Sequence, residues 1–216
     1  MGPDGSEAKR RRHRWKCQQT SSASLGIRIC GMQVFQISDS AYAYLHKYEG
    51  RDVTSDGVGD LIRKFFHNGK RWRRGSLLAI QTKLKQLISM IQKENHFLIY
   101  SASLLVIYEG AEDEEDDRET KSDHEKSDDN PHVDLCLVDF SQAYEKKDLA
   151  HSLSENTITC DAVDECDSLD DGFLDGLLSL ENILSSLSLD GEGEKDVWSE
   201  SDRVHKNIER PKMWDL

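Results

Sequence analysis

The chain has 216 residues, 37% hydrophobic and 32% charged, with a formal net charge of −13, a length that allows one domain with a sizeable core. The charge is uneven: residues 1–110 hold 18 Lys and Arg against 9 Asp and Glu, while 111–216 hold 10 against 32, so the basic first half keeps anionic ligands in play. No run reaches the roughly 18 apolar residues that span a bilayer, the start MGPDGSEAKRRRHRW lacks a signal peptide's apolar middle, and the five cysteines form no C-x-x-C pair. Membrane spans, secretion, a disulfide framework and a zinc site are therefore not expected, and a soluble protein of the cytoplasm or nucleus is.

Six cations crowd into KRRRHRWK, residues 9–16. Nothing there breaks a helix, and on a helix Lys9, Arg12 and Lys16 share one face. After the turn-like QQTSSAS, the segment LGIRICGMQVFQI alternates and YAYLHKY follows Ser38-Asp39-Ser40, which predicts an antiparallel strand pair with a tight turn. Helical spacing of Val58, Leu61, Ile62, Phe65 and Phe66 predicts a helix over 54–69, capped by Ser55 or Asp56 and stopped at Gly69. A second helix over 76–93 starts at Ser76 and turns Ile80, Leu84, Leu87, Ile88 and Ile91 inward, after the basic connector NGKRWRRG. FLIYSASLLVIYEG and VDLCLVDF are apolar enough to predict two buried strands.

Between those strands, residues 111–130 contain no large apolar residue, so that stretch cannot repay the entropy of ordering and is expected to be a disordered acidic insertion. Residues 145–170 read as a second flexible connection. Phe173, Leu177, Leu180 and Leu184 form the stripe of a closing helix, and 191–216 has the composition of a tail apart from Trp198 and Trp214. The expected fold is α+β, antiparallel strands with packed helices. Its expected divisions are a basic first part over 1–110, the insertion at 111–131, a second part over 132–190 and the tail.

Three groups of residues carry chemistry. Asp139 ends an apolar strand, where a carboxylate is held rigidly at a cleft edge and is suited to Mg²⁺ bridging nucleotide phosphates; a plain strand-end carboxylate is the bland alternative. Ser101 and Ser103, at i and i+2 on a strand, share a face, and a hairpin with the VDF strand would bring both to Asp139. Lys9, Arg12 and Lys16 form a cationic face suited to phosphates, while the whole basic run also suits nuclear localisation or nonspecific nucleic-acid contact.

Taken in order, KCQQTSSASLGIRICGMQVFQ, YEGRDVT, FFHNG, FLIYSASLLVIYEG, VDLCLVDF and DDGFLDGLLSLENIL resemble the inositol polyphosphate kinase family, and within it the inositol hexakisphosphate kinases. The resemblance implies the C-terminal lobe of that fold, ATP as co-substrate and phosphoryl transfer to an inositol polyphosphate. It implies that Asp139 binds Mg²⁺, that Ser101 and Ser103 lie near the reacting centre, and that Lys9, Arg12 and Lys16 lie beside the inositol phosphate. Asp170, Gly172 and Phe173 resemble the family's D-x-G-Y. Two departures stand out: Ser141-Gln142 replaces the Ala-His that follows the family's I-D-F, and the signature P-x-x-x-D-x-K-x-G is nowhere in the 216 residues.

The chain is therefore expected to be an N-terminally truncated kinase that binds polyphosphate weakly and turns over poorly. The alternative is a non-catalytic interaction protein whose acidic loop 111–130, with Ser122 and Ser127 open to phosphorylation, engages a basic protein partner. Nucleic-acid binding ranks last, since KRRRHRWK is interleaved with only one aromatic, Trp15, and no membrane partner is expected.

Overall fold

The computed structural model describes residues 7–38, 40–94, 96–100, 102–109, 131–139, 143–146, 172–189 and 198. The expectations for the acidic insertion, for 147–170 of the second connection, and for Ser101, Ser141, Gln142, Asp170 and Trp214 fall outside these residues; the expected connection starts later than 145, because Glu145 ends a paired strand.

The basic run is helical, as expected: α1 spans Glu7–Gln18. The stretch after it is not a plain turn. Ser22–Leu25 form a one-turn helix, α2, which ends at Gly26 in the left-handed region (φ 67°), its N–H donating to the Ser22 carbonyl. The predicted first strand is correspondingly shorter, with β1 at Met32–Gln36 and β2 at Ala41–Leu45 forming the antiparallel pair. Ile27 and Ile29 pack against the core outside any ladder.

The second strand ends three residues before Tyr48 because α3 begins there, at Lys47–Asp52. The Glu49 carboxylate accepts the His46 backbone N–H at 2.6 Å, satisfying an amide at the helix entrance. A 3₁₀ turn, Ser55–Gly57, leads into α4, Val58–Phe65, so Ser55 and Asp56 lie inside the first turn and neither caps it. The helix stops short of Gly69 because the Asn68 side chain accepts the amides of Lys70 and Arg71 and His67 bridges to Trp72. Gly69 (φ 85°) instead makes the bend of that small loop.

Ser76 does not cap the next helix. The longest helix, α5, runs Arg74–Lys93, and Ser76 lies within its first turn, fully buried. Its apolar stripe is as predicted, with Ile80, Leu84 and Ile88 buried and Leu87 and Ile91 half-buried. The closing helix α6 spans Gly172–Leu189 and lies antiparallel along α5, where Arg74 donates to the Ser188 carbonyl at 3.1 Å and Gln81 to Ser185 Oγ at 2.6 Å. Together α4, α5 and α6 hold the main core, formed by Val58, Ile62, Phe66, Leu77, Ile80, Leu84, Leu177, Leu184 and their neighbours.

The run predicted as one buried strand divides at Tyr100–Ala102. Phe97–Ile99 is β3, paired with β6 (Ala143–Glu145), and Ser103–Tyr108 is β4, paired with β5 (Val133–Val138), both antiparallel. Among the described residues, the β4–β5 ribbon is covered on one face only. Leu104, Val106, Tyr108, Val133 and Leu135 pack on the core, whereas Leu105, Ile107 and Val138 are 47%, 49% and 40% exposed. The expectation of two buried strands is thus corrected to half-buried ones. The α+β reading holds, with three two-stranded antiparallel ribbons among the described residues.

Candidate functional site

The two ends of the β4–β5 ribbon are built differently. At one end the Tyr108 hydroxyl donates to the Phe65 carbonyl at 2.6 Å, and its ring stacks on Phe66 and meets Phe65 edge-on. Burial pushes the Tyr108 phenol up to about 12, against the lowering influence of the nearby Arg73 guanidinium. This tie pins the ribbon to α4.

At the other end, which leads on to the β3–β6 pair, the ladder places Ser103 opposite Val138, so Asp139 follows directly beside Ser103 in the register. Strict alternation would carry position 139, after 133, 135 and 137, to the face that packs on the core. The backbone breaks the alternation instead: Asp139 has φ 57° and is exposed. Asp is one of the few side chains that adopt this left-handed conformation readily, so an exposed carboxylate is held at the lip of a ribbon pinned at its other end. Ser103 lies on the exposed face of β4. The strand pairing therefore unites two of the residues singled out in the sequence, Ser103 and Asp139; Ser101, the third, falls outside the described residues.

The cationic face belongs to a separate element. Lys9, Arg12 and Lys16 all lie within α1, with Arg12 and Lys16 exposed one turn apart. Trp15 is 60% exposed on the same helix, while Cys17 is half-buried. Helix α1 packs on α2, and Gly26 at the end of α2 touches Gly176 of α6. That contact was not read from the sequence, although an isolated glycine in a leucine-rich helix is a signal of close packing.

A divalent cation fits the donor set in one way. Among the described residues there is no group of three or more His, Cys, Asp or Glu placed to hold a metal, so a dedicated protein cage is absent from them. A single exposed carboxylate suits Mg²⁺, which keeps several waters and shares its remaining positions with substrate phosphates. Two shallow hollows, of about 550 and 430 Å³, lie along α5, and their linings include neither Ser103, Asp139 nor any residue of α1.

The family model described as inositol polyphosphate kinase matches residues 1–185. Human inositol hexakisphosphate kinase 2 is 32% identical over 204 residues, covering 87% of this chain and 45% of the relative, and human inositol hexakisphosphate kinase 3 is 35% identical over 201, covering 89% and 46%. The chain thus spans under half the length of these relatives. Among solved structures, an inositol phosphate multikinase superposes with a TM-score of 0.62 at 21% identity, covering 87% of this chain and 74% of that one. An S. cerevisiae inositol phosphate multikinase in complex with ADP and Mn²⁺ gives 0.61 at 21% identity, covering 87% and 73%. At that identity the superpositions establish the fold, and with the family pattern running through 185 consecutive residues, this chain belongs to the inositol polyphosphate kinase family.

Proposed function

We propose that this chain forms the substrate- and metal-holding part of a kinase that transfers the γ-phosphoryl group of ATP to an inositol polyphosphate, with inositol hexakisphosphate the first substrate to test. The observation that supports the reading is the β4–β5 register, in which Ser103 pairs with Val138 and the left-handed, exposed Asp139 follows directly. Asp139 would hold Mg²⁺ together with nucleotide phosphates, and the bound cation supplies neutralisation of phosphate charge. Lys9, Arg12 and Lys16 bind and orient the ligand's phosphates by charge-assisted contacts. Ser103, with Ser101 two residues earlier, offers hydroxyl donors near the phosphoryl group. The family's P-x-x-x-D-x-K-x-G residues are not among the 216, so these residues by themselves bind polyphosphate weakly with little turnover.

Calorimetric titration of the chain with inositol hexakisphosphate, beside an ATP-consumption assay, tests this. Binding that weakens with salt, near-background turnover, and loss of Mg²⁺-dependent nucleotide binding in Asp139→Asn are expected. Absence of polyphosphate binding would overturn the substrate reading. Robust turnover abolished by Asp139→Asn would overturn the claim that these residues alone turn over little.

A further inference from the structure

The segment that joins α1 to the rest of the molecule is a tightly tied elbow. The Thr20 hydroxyl donates to the Cys17 carbonyl at 3.2 Å, and the buried Ser21 hydroxyl donates to the Ile27 carbonyl at 2.9 Å, across the whole of α2. Leu25 and Gly26 close α2 on the carbonyls of Ser21 and Ser22, and the Ser24 hydroxyl meets that of Ser55 in the 3₁₀ turn. The elbow then rests backbone to backbone on α6. A Cβ added to Gly26 would come within 2.9 Å of Gly176 Cα and N, and one added to Gly176 within 2.9 Å of the Gly26 carbonyl oxygen and 3.1 Å of Ile27 Cγ2. Neither obstacle is the far end of a flexible side chain, so the backbones would have to separate.

We infer that Gly26 and Gly176 form a seat that fixes the position of α1, and that both are positioning residues for its cationic face. An isolated helix of 12 residues is marginal in water, and α1 packs on α2, so a shift of α2 removes one of its supports. The seat itself is independent of any ligand; its consequence for binding rests on the function proposed above. Intrinsic preference favours Ala over Gly inside a helix, so a loss caused by Gly176→Ala cannot come from α6 propensity and reports the steric contact. Gly59, in α4, has nothing within 4 Å of an added Cβ and supplies the matched control.

The test compares wild type, Gly176→Ala and Gly59→Ala as the full 216-residue chain, by amide hydrogen exchange and by calorimetric titration with inositol hexakisphosphate. In Gly176→Ala the amides of Glu7–Gln18 should exchange faster while those of α5 keep their protection, and affinity should fall about tenfold, with Gly59→Ala unchanged in both. Ser21→Ala, which removes the elbow's hydroxyl tie without adding bulk, should loosen α1 in the same direction and serves if Gly176→Ala does not fold. Exchange of α1 that is equal in wild type, Gly176→Ala and Ser21→Ala would overturn the seat. Faster α1 exchange in a chain whose wild type binds no polyphosphate would support the seat and overturn the proposed substrate instead.

Discussion

Tyr108 and Asp139 stand at opposite ends of one ribbon and differ in how much of their role the sequence displays. Asp139 follows an unbroken apolar run, and a charge at the end of such a run is legible as a strand-end carboxylate. Its left-handed backbone (φ 57°) is not, because no pattern in the neighbouring residues marks it. Tyr108 reads simply as one more apolar strand residue, yet its hydroxyl makes the tie to α4. Tyr108→Phe leaves the Phe65 carbonyl without that donor and should cost about 1 kcal/mol near neutral pH, measured by urea unfolding. The pH dependence follows from the raised phenol. The neutral form is favoured in the folded chain, so its contribution is complete below the ordinary value of 10.0 and is lost as pH rises through about 12. The variant should lack this component of the alkaline limb. Ser76 is the opposite case, a residue whose type signals a cap but whose burial inside α5 is set by the elements packed around it.

At the scale of elements, the α5–α6 pair shows what periodicity determines and what it leaves open. The leucine and isoleucine stripes predict both helices and their inward faces. They do not predict the polar seam beside the core, where the Ser185 hydroxyl donates to the Glu181 carboxylate at 2.7 Å, Gln81 reaches both, and Lys85 lies 3.4 Å away. The hydrogen bond from Ser185, with support from Lys85 and Gln81 and against partial burial, holds the Glu181 carboxyl below its ordinary 4.5. A lowered carboxyl stabilises the fold above its unfolded value, and that contribution disappears as pH falls through the folded one. Glu181→Gln should therefore be less stable than wild type at pH 7, by about 1 kcal/mol, and the gap should close as thermal midpoints are followed from pH 7 to pH 3. A gap independent of pH would assign the loss to packing. The strands teach a related lesson: a continuous apolar run signals burial on two faces, whereas β4 and β5 bury one, and composition alone does not say whether a second layer is present.

For the whole molecule, Trp198 is the residue least anticipated by its surroundings in the chain. It lies beyond the span of the family match, in a stretch with the composition of a tail, yet it is 1% exposed, packs with Val34 and Ala43, donates its indole N–H to the Lys64 carbonyl at 3.2 Å and lies under the Lys64 ammonium. It thereby joins the β1–β2 hairpin to α4. Trp198→Ala should destabilise the chain by about 3 kcal/mol through the cavity it leaves, read as a lower denaturant midpoint with an unchanged slope. A loss under about 1 kcal/mol would show that the hairpin holds its place without the indole. By itself the sequence determined the helical stripes, the antiparallel α+β class, the cationic helix and the carboxylate after its strand, because each is written in spacing or composition over a few neighbouring residues. Only the tertiary structure decided that the long apolar run pairs with two different strands, that the outer face of β4–β5 is uncovered, that Trp198 fills the second core, and that Gly26 rests on Gly176. Those outcomes depend on segments distant in the chain meeting in space, and no local pattern encodes which backbone will arrive at which surface.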